Sequence, residues 1–323
     1  MNESLQFVTI QNFESQQKKR YDTITLSFQL FGPPLNTVPI VLVNHALTGN
    51  SNVADSKTGW WKEIIGFNKA IDTQYFSVIA FNIYGNGYDG HLLEDHSSFS
   101  AFDIAQLQYR ALAQLEVVQL YAAIGGSIGG GIAWEMAIAH PTFIQRLIPI
   151  ASAWKSSDWI IGQTHVQENI LQHSNYPLQD ARMMAMLFYR TPQSFYQKFN
   201  HSQTDQGKPV VQDWLDFHGK SLQSRFDVQA YRTMNYVLAH IDIQRQFNTI
   251  EDAVQPLQSK VIQIAIDTDI YFHKESNIQS KKVLDQLGIV NEYHEIQSIH
   301  GHDAFLIEYD QLSPLLKPHF TIA

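Results

Sequence analysis

The run PIVLV at residues 39–43 is apolar at every position, and it constrains the fold more than any other feature of the chain. A strand with one wet face alternates apolar and polar residues. A continuous β-branched run instead suits a strand buried on both faces, as in a parallel sheet covered by helices. Related runs recur, and strands are predicted at 23–32, 38–47, 76–85, 120–126 and 145–152. Helical patterns fall between them at 102–115 and 128–140, the second stopped by Pro141. From Trp154 to about Gln255 the sequence turns polar, rich in Gln and aromatics, and helical in period. The strand pattern then returns at 259–267 and 290–298, with a helix near 280–288 between them. This order predicts an α/β fold with a mostly parallel central sheet flanked by helices. Residues 1–153 and 256–323 would form its core, with 154–255 inserted as a helical lid.

Composition narrows the partners. A formal charge of −9 argues against nucleic acid, whose binders carry a basic stripe, and the cluster Lys18-Lys19-Arg20 reads as a solvated patch. There is no cysteine, which removes disulfides, thiolate nucleophiles and cysteine-ligated metals together. No metal site is predicted. The first residues, MNESLQFVTIQNF, show no basic segment followed by an apolar stretch, and no run approaches eighteen apolar residues. The expectation is a soluble cytoplasmic protein with neither membrane nor nucleic acid as partner.

Chemistry is concentrated in YAAIGGSIGGGIAWEMAIAH (121–140), where five glycines surround Ser127. A phosphate-binding loop would need a lysine after the glycines, and none follows. A dinucleotide fingerprint would need a third glycine at position 134, which is tryptophan. The pattern that is met is G-x-S-x-G, from Gly125 to Gly129, after a strand and before a helix. That is a nucleophile elbow, whose flanking glycines let the chain pass itself and hold the serine at a strained position. Gly130 and Gly131 lie inside the helix, where each costs about 1 kcal/mol; close packing or a roomier pocket would explain them.

A serine hydroxyl needs a base, and the base an orienting carboxylate. In chain order these follow as acid and then histidine, on loops after late strands. Asp269 and His302 stand there, with Asp267 and His300 as alternatives. Oxyanion donors are expected from the backbone N–H of Ile128 and, in the loop after an early strand, of Leu47. His45 in that loop reads as an ordering residue.

HALTGNS (45–51), GWW (59–61), GGSIGG, RFD (225–227) and GHDAFL (301–306) together resemble the homoserine O-acyltransferases of the α/β-hydrolase fold, from about Leu42 to Glu308. The resemblance implies transfer of an acyl group, acetyl foremost, from acyl-CoA to L-homoserine in methionine biosynthesis, through a ping-pong acyl-serine mechanism. It implies no cofactor beyond acyl-CoA as co-substrate, and a homodimer formed through the helical insertion. The family's D-x-L-F-like turn is matched better by Asp269-Ile270-Tyr271-Phe272 than by a turn at Asp267, selecting Asp269, and its GHD selects His302 over His300. By the same resemblance Arg182 binds the homoserine carboxylate, with Tyr189 two helical turns on, and Asp303 meets the ammonium. Read from residues alone, Arg182 is a solvated helix residue and Asp303 a helix N-cap before AFLIEY. The chain departs from the family after Asn82, where the glycine-rich segment loses its ending, and at Gly131 and Ile132, where methionine and glutamine are usual. A serine esterase, or transfer to another small hydroxy amino acid, is the alternative function.

Overall fold

The computed structural model describes residues 4–321. The chain opens with β1 (Gln6–Glu14), β2 (Arg20–Phe31), β3 (Ile40–Asn44), the two-residue strands β4 (Ile65–Gly66) and β5 (Ile71–Asp72), and β6 (Ser77–Phe81). Alternation follows with α1 (Ala101–Gln114), β7 (Leu120–Gly126), α2 (Ile128–Ala139) and β8 (Ile144–Ile150). Between β8 and the next strand lie α3 (Asp158–His173), α4 (Pro177–Tyr189), α5 (Pro192–Phe199), α6 (Val210–Gln223), α7 (Val228–Ala239) and α8 (Ile250–Val254). The chain closes with β9 (Lys260–Ile266), α9 (Lys274–Gln286), β10 (Asn291–Ile296), a 3-10 turn at Gly301–Leu306, α10 (Tyr309–Leu316) and a second 3-10 turn at Lys317–His319.

Eight strands form one sheet in the order β1-β2-β6-β3-β7-β8-β9-β10. The first two pairings are antiparallel and the rest parallel. The run that opened the sequence is β3, and its alternation explains its composition: Ile40 and Leu42 enter one apolar layer, Val41 and Val43 the other. Both layers are dry because helices cover both faces. From β3 the chain first builds outward to β6 and then crosses to β7 on the other side. The loops leaving β3 and β7 therefore diverge at the C-terminal ends of neighbouring strands, the place where open α/β sheets form a ligand crevice.

β4, β5 and α10 are not predicted, and two further differences have a clear physical reason. β1 is not predicted; it is an edge strand that turns only Val8, Ile10 and Phe13 inward among exposed neighbours, so its apolar signal is thin. α9 begins six residues before the predicted 280 because its first turns bury polar groups rather than apolar ones. Asn277 donates to the Ser152 carbonyl at 2.8 Å, and the Ser280 hydroxyl donates to Gln263 Oε1 at 2.6 Å. A helix anchored through buried hydrogen bonds shows little hydrophobic period.

The glycine question in α2 has a steric answer. A Cβ on Gly131 would stand 2.3 Å from Ile241 Cδ1, so the residue is small because Ile241 packs onto it. Gly131→Ala should destabilise the fold by about 1–3 kcal/mol through overpacking. Adding Ile241→Val, which removes Cδ1, should recover part of the loss in denaturant titrations. Equal stability of Gly131→Ala and the parent would contradict the packing assignment.

Candidate active site

Ser127 sits between β7 and α2 with φ 58° and ψ −129°, a backbone conformation that costs of order 1–3 kcal/mol for a residue with a side chain. The turn is held from both sides. The Ser127 N–H donates to the Ile150 carbonyl of β8 at 2.9 Å, and the Gly130 N–H donates to the Ser127 carbonyl at 3.0 Å. A Cβ on Gly125 would lie 2.4 Å from the Gly129 carbonyl carbon, so the turn closes only with glycine there. The strain leaves the hydroxyl pointing away from the helix that its residue caps: Ser127 makes no side-chain capping bond.

The hydroxyl instead meets His302. Its Oγ lies 2.9 Å from His302 Nε2, and His302 Nδ1 lies 2.7 Å from Asp269 Oδ2. Asp269 is fixed in turn, its Oδ1 accepting the N–H groups of Tyr271 at 2.7 Å and Phe272 at 2.9 Å. All three side chains are buried, and the imidazole is walled by Tyr189, Tyr271, Phe272 and Phe305, with ring centres 5.0–5.6 Å away. Strands β7, β9 and β10 deliver the three groups from their C-terminal ends. The alternatives are otherwise engaged. Asp267 accepts the Ser298 N–H at 2.9 Å, and His300 Nδ1 lies 2.8 Å from the Arg190 guanidinium.

The loop after β3 lies against the first turn of α2: a Cβ on Gly129 would stand 2.3 Å from the Asn44 carbonyl oxygen. This brings the segment carrying Leu47 to the start of the helix that begins at Ile128. Two anchors hold the loop. His45 is fully buried, donates from Nδ1 to the Ala46 carbonyl at 2.7 Å, and accepts the Ile83 N–H at Nε2 at 3.0 Å. Arg225, the first residue of RFD, reaches from the end of α6 to donate to the Thr48 carbonyl at 2.9 Å. Asp227 of the same motif caps α7. Neither anchoring role was legible in the sequence as a contact, because each joins segments far apart in the chain.

Arg182 and Tyr189 lie on α4, the guanidinium 5.6 Å from the centre of the Tyr189 ring, which itself lies 5.6 Å from the His302 ring. Among the described residues no side-chain hydrogen bond or ion pair holds either Arg182 or Asp303. Burial pushes the Asp303 carboxyl above its ordinary pKa, while the positive charge of Arg182 is the largest influence pulling it back. Asp303 is not the helix N-cap that its sequence suggests; it is the third residue of the 3-10 turn Gly301–Leu306, and His300 stands at the cap. Two buried tyrosines that the sequence reading passes over complete the surroundings. Tyr271 faces the rings of Tyr189 and His302, and burial pushes the Tyr231 hydroxyl well above its ordinary pKa, with Arg182 pulling it back. Tyr271 lies inside the DIYF turn already singled out, but nothing in one sequence marks Tyr231.

Burial pushes the His45 pKa down to about 4, so the ring stays neutral in the folded chain, as its accepting Nε2 requires. The unfolded chain protonates near 6.5, so it binds the extra proton first as pH falls. Stability from this group is complete above pH 6.5 and is lost between 6.5 and about 4, in total about 3 kcal/mol. His45→Gln, which can still accept from Ile83, should flatten the stability–pH curve in that window; an unchanged slope would remove His45 as its cause.

The sequence pattern of the α/β-hydrolase fold matches residues 39–306. A homoserine O-acetyltransferase of Cyclobacterium marinum is 29% identical over 306 residues, covering 87% of this chain and 84% of that protein. The crystal structure of homoserine O-acetyltransferase from Bacillus anthracis superposes with a TM-score of 0.87 at 17% identity, covering 99% of this chain and 98% of that one. The crystal structure of an esterase E22 L374D mutant superposes with a TM-score of 0.88 at 19% identity, covering 99% and 100%. With the sheet order, the serine turn and the match over most of its length, the chain belongs to the α/β-hydrolase fold family.

Proposed function

We propose that this protein is an acyltransferase that moves an acetyl group from acetyl-CoA to the hydroxyl of L-homoserine, a step of methionine biosynthesis. The observation that carries the reading is the pair Arg182 and Asp303: opposite charges, neither tied to a protein partner among the described residues, beside a serine–histidine–aspartate array. An amino acid offers the complementary pair, a carboxylate for a guanidinium and an ammonium for a carboxylate. The name of the Cyclobacterium marinum relative supports the same substrate.

In the first half-reaction His302 Nε2 takes the proton of Ser127 Oγ, which attacks the thioester carbonyl. Asp269 holds the imidazole with Nδ1 protonated and stabilises the imidazolium that forms. The backbone N–H groups of Leu47 and Ile128 receive the oxyanion. Collapse of the tetrahedral intermediate returns the proton to the departing thiolate and leaves acetyl on Ser127. Homoserine then enters with its carboxylate on Arg182, its ammonium on Asp303 and Tyr189 beside them. His302 deprotonates its hydroxyl, which attacks the acyl-serine and regenerates the enzyme. Water competes for that ester, and the aromatic wall around His302 with helices α3–α7 acting as a lid limits its access.

The test uses the absence of cysteine, since every thiol detected comes from CoA. With acetyl-CoA alone, thiol release should stop after one equivalent per active site; homoserine should make it continuous. Continuous release without homoserine, with free acetate as product, would support the esterase reading and overturn the transferase. Ser127→Ala should abolish the burst. Asp269→Asn should lower the rate about 10⁴-fold, as expected when the histidine adopts the wrong tautomer. Arg182→Ala should keep the burst but weaken homoserine use roughly 100-fold, the loss of about 3 kcal/mol of charge-assisted hydrogen bonding.

A further inference from the structure

At the opposite end of the sheet a second group of side chains converges. Glu292 and His294 are two residues apart on β10 and so share one face of the strand. The turn after α10 brings His319 to them. Glu292 Oε2 lies 3.1 Å from His294 Nε2 and 3.3 Å from His319 Nε2. One donor atom from each of the three falls within 4.8 Å of the others. We propose that Glu292, His294 and His319 bind a divalent transition-metal ion of the zinc class, pinning the C-terminal segment to the sheet edge.

The donor set is chemically suited: two imidazole nitrogens and one carboxylate oxygen favour zinc and its neighbours over magnesium or calcium, and water completes a tetrahedron. The ligands are also held from behind. The Tyr121 hydroxyl donates to the His319 carbonyl at 2.9 Å, and the Phe320 ring packs edge-on to Phe76. Lys260 Nζ lies 2.5 Å from Glu292 Oε1, which orients the carboxylate and leaves Oε2 to face the imidazoles. In the metal-free protein His294 Nε2–H donates to Glu292 Oε2 at 3.1 Å, and His319 Nε2 stands 3.3 Å from the same oxygen. A metal ligated through Nε2 takes each ring with its proton on Nδ1, so binding replaces the His294–Glu292 hydrogen bond with metal bonds.

Location separates this cluster from the catalytic array. Lys260 opens β9 and Glu292 stands near the start of β10, whereas Asp269 and His302 follow the C-terminal ends of the same two strands. β10 is the sheet edge, and α10 packs beside it. An ion joining β10 to His319 links this edge to the C-terminal turn. The positive charge of Lys260 on Glu292 weakens the site relative to an all-anionic one, so occupancy should follow zinc concentration.

The experiment titrates zinc into tag-free, chelator-treated full-length protein at neutral pH against a chromophoric chelator, with melting temperature as a second readout. One ion should bind per chain, and the melting temperature should rise with zinc. His294→Gln and Glu292→Gln, both partly exposed positions, should bind at least about 10-fold more weakly and lose the thermal response. His319→Ala should do the same if circular dichroism shows it folded. His165→Gln on α3 and His302→Gln should keep the site. The proposal is overturned if folded His294→Gln and Glu292→Gln bind zinc as the parent does, if no ion binds, or if only His302→Gln abolishes binding.

Discussion

Everything in this structure that concerns chemistry depends on one close approach. β7 can turn into α2 at Ser127 only because the chain almost touches itself between Gly125 and Gly129, and because Gly129 almost touches the carbonyl of Asn44 in β3. The contact does two things at once. It forces Ser127 into a left-handed conformation that frees its hydroxyl, and it sets the loop after β3 beside the start of α2. The proposed nucleophile and the proposed oxyanion donors thus come from one steric constraint. A side chain at either glycine would have to part β7 from α2 or α2 from β3, which the surrounding dry core resists.

Polar groups, as well as packed residues such as Leu47 and Val53, hold that loop. His45 bonds to Ala46 and Ile83, Ser51 donates its N–H to Asn82 Oδ1 at 2.8 Å, and Asn82 Nδ2 reaches Ser27 Oγ at 2.9 Å. The segment after Asn82, where the chain departs from the homoserine O-acyltransferases it resembles, shares in this network: Asn86 Nδ2 lies 3.2 Å from His45 Nε2. Arg225 adds a tie from the helices between β8 and β9. Buried networks of this kind specify a single arrangement when every member is satisfied. Backbone amides that receive an oxyanion need such fixity, since their value lies in not reorganising during reaction.

The fold alone does not choose between hydrolysis and transfer, since a homoserine O-acetyltransferase and an esterase superpose on this chain almost equally well. What distinguishes the two is what stands next to the nucleophile. Arg182 on α4 and Asp303 in the turn after β10 place opposite charges near His302, within the aromatic surroundings of Tyr189, Tyr231 and Tyr271. Two charges that the protein does not neutralise with each other at contact distance carry a desolvation cost, which the zwitterionic substrate proposed above would offset.

Much of this was legible before the structure. The apolar runs mark the buried strands because a strand covered on both faces has no polar side to show, and the G-x-S-x-G turn marks the nucleophile because its steric demand is local. The order Ser127, Asp269, His302 is legible for the same reason: each follows its own strand, and strand ends are local features. Choosing Asp269 over Asp267 and His302 over His300 needed the family resemblance, and the structure then shows what each rejected residue does instead. The edge strand β1 and the start of α9 escaped because hairpin pairing and buried hydrogen bonds stand in for hydrophobic period. Gly131 was ambiguous until Ile241, more than a hundred residues away, proved to occupy its space. The sequence by itself determined the layers and the elbow, set by periodicity and short-range sterics, and narrowed the acid to Asp269 or Asp267 and the base to His302 or His300, which the family resemblance then resolved. Only the tertiary structure decided that His45 and Arg225 hold the loop after β3, that Asp303 lies within a 3-10 turn, and that Glu292, His294 and His319 meet, because those facts depend on segments that become neighbours only when the sheet has formed.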